Sequence, residues 1–334
     1  MTRLRMNQAI SLAIREEMAR DLRVVVLGED VADAEGPFKT SEGLLAQFGS
    51  SRVRDTPISE MGFVGAAVGA AMTGLRPVIE IMFIEFLGVA MDQLVTEAAM
   101  MRHLSAGELE VPLVLRASAG AGLGFGCQHS QALERWIFGT PGLKIAVASG
   151  ARSAFGLIKA AIRDPGPVVL LEPRALYGSR EDVPVTAEVP QLGSAEVMRQ
   201  GDDVTIVTLG RTVSIAAEAV ERADWSAEVI DLRTLAPWDQ ATVLASVFKT
   251  GHLVTVEENQ YTGGWGAHIA AHVASVAFDD LRAPVVRITA PDVHVPYVRA
   301  LEERYLPSAD YVNRQVGALI ATKRTPPHWW EERS

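Results

Sequence analysis

The stretch RVRDTPISEMGFVGAAVGAAMTG, residues 52–74, followed at once by RPVIEIMFIEF, residues 76–86, decides the fold. After Pro57 the first segment is Gly, Ala and Val with no further breaker. It reads as a helix entered near Ser59, a side chain suited to an N-cap. The second is a short apolar run rich in β-branched and aromatic residues, which reads as a strand buried on both faces. A very apolar helix feeding such a strand is the unit of a parallel sheet covered by helices.

The same alternation extends outward. RVVVLGED (23–30), VPLVLRASAG (111–120), LKIAVASG (143–150) and GPVVLLEP (166–173) read as strands, and ARSAFGLIKAAIRD (151–164) as a helix. LGVAMDQLVTEAAMMRHLS (87–105) has helical spacing through Val89, Leu94, Val95, Ala98 and Met101. The opening segment, 1–21, mixes Arg3, Arg5 and Arg15 with Glu16, Glu17 and Asp21, and reads as an amphipathic helix of the mature fold rather than a signal peptide. Between Glu181 and Glu196 the periodicity lapses around two prolines. Beyond it, DVTIVTLG, TVSIAAEAVERA, AEVIDLRTL, HLVTVEENQ, GGWGAHIAAHVASVAF and APVVRITA form a second strand–helix series. The expectation is an α/β chain of two domains, residues 1–185 and a smaller 195–328, joined by a linker at 186–194. The Pro- and Trp-rich tail KRTPPHWWEERS either lies across a neighbour or frays.

Composition narrows the function. Of 334 residues, 48 % are hydrophobic, enough for a large core and for apolar surface that partner subunits cover. The net charge of -10, with no basic run, argues against nucleic acid or an anionic membrane as partner and leaves a basic protein surface open. No apolar run reaches the length of a membrane span. Cys127 is the single cysteine, so no intrachain disulfide forms, which fits a reducing, cytoplasmic setting.

Three clusters carry candidate chemistry. Glu60 stands at the helix mouth beside Gly62, Gly65, Ala66 and Gly69. It either serves the helix dipole alone or holds a heteroaromatic ring that approaches the small side chains. In AGAGLGFGCQHSQALERW, residues 119–136, a glycine-rich loop precedes Gln128, His129, Ser130 and Gln131. A glycine loop opening a helix binds anions, but no Gly-Lys-Ser follows as in a P-loop. Cys127 and His129 are too near in sequence to align as thiol nucleophile and base, and His129 is either catalytic or structural. In NQYTGGWGAHIAAH, the glycines lack dinucleotide spacing, which favours close helix packing. His268 and His272 lack a third metal ligand and read as a solvated face.

Taken in order, LGEDV (27–31), DTPISEMGFVGAAVGAA (55–71), DQLVTEAA (92–99), QHSQ (128–131), PGLKIAVAS (141–149), DLRTLAPWD (231–239) and LEERYLP (301–307) make the chain resemble a known family over nearly its whole length. It is similar to the beta subunit of the thiamine diphosphate-dependent first component of 2-oxo acid dehydrogenase complexes, pyruvate, branched-chain and acetoin members included. That resemblance implies a transketolase-like pyrimidine-binding domain followed by a transketolase C-terminal-like domain. It implies that Glu60 hydrogen-bonds the aminopyrimidine of thiamine diphosphate and favours the imino tautomer that activates the thiazolium carbon. Met82 and Phe86 match positions that pack on the pyrimidine, and Glu29 matches an acid near it. His129 matches a histidine that assists acyl transfer to a lipoyl arm. Leu113, Ala161, Ile162 and Asp164 match positions whose backbone oxygens often hold potassium.

The Gly-Asp-Gly segment that binds diphosphate and magnesium in thiamine enzymes is absent, since GDD at 201–203 lacks the last glycine. The resemblance therefore implies an alpha subunit that supplies the magnesium half, in an α2β2 heterotetramer, and a lipoyl-bearing acyltransferase as onward partner. Thr96, MMRH at 100–103 and His268 depart from the family pattern. MFIEFLGVAMDQ, EPRALYG and TAPDVHVPY look closer to acetoin-type subunits. The alternatives are the C-terminal half of a split transketolase, which would want basic residues at its mouth, and a non-catalytic docking scaffold.

Overall fold

A computed structural model describes residues 1–186 and 188–331. Residue 187 of the expected linker and residues 332–334 of the tail lie outside the described residues.

The strands that the sequence marks as apolar runs do form parallel sheets. The larger sheet has seven strands, in the order Thr234–Ala236, Lys144–Val147, Val168–Pro173, Val114–Ala119, Arg76–Phe83, Val24–Gly28, Val53–Asp55. All neighbours are parallel except Thr234–Ala236, which pairs antiparallel with Lys144–Val147. This edge strand comes from beyond the expected linker, so the second half of the chain completes the first half's sheet. The second sheet has five strands, ordered Val286–Ala290, Leu253–Gln260, Val204–Thr208, Ala227–Asp231, Glu196–Arg199, with only the last antiparallel. The molecule is thus two α/β domains. A short strand, Thr2–Arg5, precedes the expected first helix and pairs with Arg180–Val183.

Helices Met6–Arg20 and Ala151–Arg163 pack together on one face of the large sheet, burying Ile10, Ile14, Phe155 and Ile158. The other face holds a core that runs on into the second domain. Phe63, Val64, Ile81 and Leu115 there join Ile145, Ile230, Leu253, Trp265 and Ile269 in one cluster. Burying such side chains stabilises by roughly 1.5–3 kcal/mol each, so the domain contact is part of the core. Across the middle of the sheet, Arg116 donates to Glu172 from Nε and Nη2, at 2.7 and 2.9 Å, and to Glu80 Oε2 from Nη1, at 3.0 Å. Thr40 and Tyr177 hydroxyls complete the network at Glu80 and Glu172.

Local expectations need three corrections. Residues 87–105 do not make one α-helix: Leu87–Met91 is followed by a π-helical run, Asp92–Ala98, and then by Met101–Leu104. The segment 119–136 opens no helix and reaches only the 3₁₀ turn Glu134–Trp136. The tail does not fray up to Glu331. Tyr311 Oη accepts from the Trp329 N–H and Gln315 donates to the Pro327 carbonyl, so it lies on the second domain.

Candidate active site

In a parallel sheet the carboxyl ends of neighbouring strands form one rim, and side chains just past those ends converge there. The strands Val53–Asp55, Val24–Gly28, Arg76–Phe83 and Val114–Ala119 are consecutive neighbours. Glu60, Glu29, the turn Ile84–Phe86 and the loop bearing His129 follow their four ends in turn, and Met82 is the last residue but one of the strand Arg76–Phe83. Topology therefore gathers the site residues expected from the sequence onto one rim.

Glu60 is the first residue of the helix Glu60–Met72 and is 8 % exposed. Ser59 occupies the N-cap position, but its side chain makes no capping hydrogen bond. The helix is two-faced. Phe63, Val64, Ala67, Val68 and Ala71 enter the core, while Gly62, Ala66 and Gly69 stay exposed beside the exposed Ile58 and Met61. The small side chains thus line a surface, and the apolar ones account for burial. Glu29 is half-buried, and its Oε1 is shielded from solvent with no hydrogen-bond partner. Burial, then the charges of Glu60 and Asp30, push its carboxyl above the usual range. Two neighbouring carboxylates, one with an unmet acceptor, call for a ligand that brings N–H donors. The amino group and ring nitrogen of an aminopyrimidine meet that need, and Met82 and Phe86 are half-buried at the same rim. The residues fit the pyrimidine half of thiamine diphosphate.

His129 lies flat on Phe83, with centroids 4.6 Å apart and planes at 23°, and meets the edge of Phe86 at 5.5 Å. Its Nδ1 is buried with no partner. Its carbonyl accepts from Arg174, whose guanidinium sits over Phe83 and Phe125 at 4.6 and 5.3 Å and also donates to the Ser118 hydroxyl. Glu85 Oε1 accepts from the Gln131 N–H at 2.7 Å, and its Oε2 has no partner. Burial raises the Glu85 carboxyl, opposed by that N–H and by the charges of Arg174 and His129. Glu85, Phe86, Cys127, Gln128, His129 and Gln131, with His294 of the second domain, line an open cleft of about 490 Å³.

The glycine loop does bind anions, but they are its own. Glu302 accepts from Gly122 and Gly124, and Glu258 from Ala121. Around Leu113, Ala161, Ile162 and Asp164 the structure supplies a different cation: Arg76 Nη1 donates to the Ile162 and Asp164 carbonyls at 2.7 and 3.1 Å. The Leu113 carbonyl accepts from Val168. All four carbonyls thus already accept N–H donors. His268 is exposed and His272 half-buried, and both rings meet Trp238 edge-on. Sequence reasoning missed Glu85, Arg174, His294, Glu258 and Glu302. Arg174 had a usable signal, because it too follows the end of a strand, Val168–Pro173.

The chain matches the transketolase pyrimidine-binding domain over residues 2–180 and the transketolase C-terminal domain over residues 193–312. It is 45 % identical over 317 residues to the pyruvate dehydrogenase E1 component subunit beta-2, mitochondrial, of Oryza sativa subsp. japonica, covering 92 % of this chain and 84 % of that protein. It is 44 % identical over 311 residues to the pyruvate dehydrogenase E1 component subunit beta of Rickettsia bellii, covering 92 % of this chain and 96 % of the relative. A solved split-gene transketolase, described as an inactive beta4 tetramer, superposes with a TM-score of 0.79 at 26 % identity, covering 96 % of this chain and 99 % of that one.

Proposed function

The chain belongs to the transketolase-like family of pyruvate dehydrogenase E1 beta subunits, and from that premise we propose that it forms half of a thiamine diphosphate site. An alpha subunit completes the site in an α2β2 assembly, and the product acyl group passes to the lipoyl arm of an acyltransferase. The observation that carries this reading is the pair Glu60 and Glu29 at the sheet rim, one buried and one with an unmet acceptor.

Glu60, Glu29, Met82 and Phe86 hold the pyrimidine, and the alpha subunit holds the diphosphate and magnesium. When bound, thiamine diphosphate supplies the electron sink for cleaving the bond beside a substrate carbonyl. Glu60 would accept a hydrogen bond from the pyrimidine nitrogen, a bond that its buried setting would strengthen. Phe83 and Phe86 fix the plane of His129, which lines the cleft and there can give or take a proton as the acyl group moves. The donor substrate is a 2-oxo acid of the pyruvate type or acetoin, and the acetoin-like MFIEFLGVAMDQ segment supports the second. The setting is cytoplasmic.

Replacing Glu60 by Gln keeps the shape and removes the charge. With the alpha partner, thiamine diphosphate and magnesium present, turnover should fall about 10²-fold or more, while the circular dichroism spectrum stays that of the parent. A variant that turns over at the parent rate would refute the assignment. A split transketolase is the second reading, favoured by the whole-chain superposition. It would take sugar phosphates, and the residues lining the His129 cleft include no Lys or Arg to meet them. A substrate panel on the same assembly separates the two.

A further inference from the structure

The loop that presents His129 has little stiffness of its own. Gly120, Gly122, Gly124 and Gly126 all have positive φ, from 70° to 108°. First-domain groups hold the loop's His129 end, where Arg174 donates to the His129 carbonyl and Glu85 accepts from the Gln131 N–H, while the glycine-rich part is held from the other domain. The Gly122 and Gly124 N–H groups donate to Glu302 Oε1 and Oε2, each at 2.9 Å, and the Ala121 N–H donates to Glu258 Oε1. Glu302 lies in the helix Arg299–Tyr305 and is 1 % exposed; Glu258 lies in the strand Leu253–Gln260. Successive amides of a positive-φ chain form a concave anion site, and here a carboxylate of the same chain fills it. The fit is close: a Cβ on Gly120 would stand 2.8 Å from Glu258 Oε1, and one on Gly126 would stand 3.2 Å from the Tyr297 ring.

We propose that Glu302, seconded by Glu258, is a positioning residue that latches the His129 loop to the second domain. The seating of the two domains then acts, together with Phe83, Phe86 and Arg174 of the first domain, on where the imidazole stands. The latch rests on the reading of His129 as the acyl-transfer group. It also gives LEERYLP, a motif that lies far from His129 in sequence, a physical task. Both bonds to Glu302 are charge-assisted, and neither carboxylate oxygen can be spared. Glu302→Gln keeps the volume but turns one acceptor into an N–H donor that faces a glycine N–H.

The test uses the chain assembled with its alpha partner. Hydrogen exchange is followed in the peptide spanning 119–131, and two half-reactions are timed: substrate cleavage with an artificial electron acceptor, and acyl transfer to a lipoyl domain. In Glu302→Gln, loop exchange should quicken about tenfold or more while the sheet keeps its protection. Acyl transfer should fall about 10- to 100-fold, with cleavage near the parent rate. The neighbouring exposed change Glu303→Gln should move neither. Should Glu302→Gln fail to assemble, Glu258→Gln, which weakens the Ala121 bond, gives the same reading at smaller amplitude. Unchanged loop exchange in a folded variant overturns the latch. So does faster exchange with both half-reactions equally affected or equally spared. A parent assembly inert in both half-reactions would instead refute the functional reading, and hydrogen exchange would still decide whether the latch exists.

Discussion

At the scale of single residues, His129 shows how much of a catalytic group lies in its surroundings. Phe83 carries its face, Phe86 its edge and Arg174 its carbonyl, while Nδ1 is left without a partner. A ring so fixed loses little freedom when it acts, which is what proton transfer to a moving acyl group requires. His129→Ala should therefore slow acyl transfer to a lipoyl domain by about 10²–10⁴-fold and leave substrate cleavage with an artificial acceptor close to the parent rate. Equal losses in single-turnover measurements of the two steps would argue against that role. Glu60 and His129 were legible in the sequence because each sits inside a short local pattern. Glu85 and Arg174 were not, since what marks them is a shared cleft and an arginine reaching a carbonyl 45 residues away.

At the scale of elements, the three central strands of the large sheet are tied by charge as well as by backbone pairing. Arg116 bridges Glu80 and Glu172 on either side, and all three are almost fully buried. Removing the cation leaves two buried carboxylates without compensation. Arg116→Met should cost roughly 3–5 kcal/mol, read as a lower urea midpoint with an unchanged slope. The strands themselves were readable because both faces are apolar, so the runs stand out from their turns. The segment 87–105 was misread because apolar spacing near 3.6 looks the same whether or not one turn is widened. The π-helical run is where Gln93 lies against Gly65, whose missing Cβ would stand 3.0 Å from Gln93 Oε1. That contact belongs to two elements and leaves no mark on either alone.

At the scale of the whole molecule, the domains share a core and are pinned by buried acids. The Asn259 Nδ2 donates to Glu134 at 2.6 Å, and the Ser149 hydroxyl donates to Asp231. Burial pushes Glu134 up from 4.5 to about 7 and Asp231 up from 3.8 to about 6. A carboxyl raised in this way binds its proton more tightly folded than unfolded. Its stabilising share is complete below the unfolded value and is lost as pH rises through the folded one. The domain contact should weaken between about pH 4.5 and 7 on account of Glu134. Glu134→Gln should flatten that dependence, so that its Tm exceeds the parent's at pH 8 and the gap closes at pH 5. A parent Tm that climbs as steeply as the variant's from pH 5 to pH 8 would contradict this.

The sequence by itself determined the class of fold and the two-part division, and it marked Glu60 and His129 among the groups now found at the sheet rim. Each of these depends on periodicity or on a run of adjacent residues, and such signals survive in one dimension. Only the tertiary structure decided that Thr234–Ala236 closes the first sheet, that Arg76 occupies the corner expected for potassium, and that Glu258 and Glu302 fill the glycine loop. Those contacts join residues up to 180 apart in the chain. A hydrogen bond across such a distance constrains only the two groups that make it, so nothing in either group's own neighbourhood announces the other.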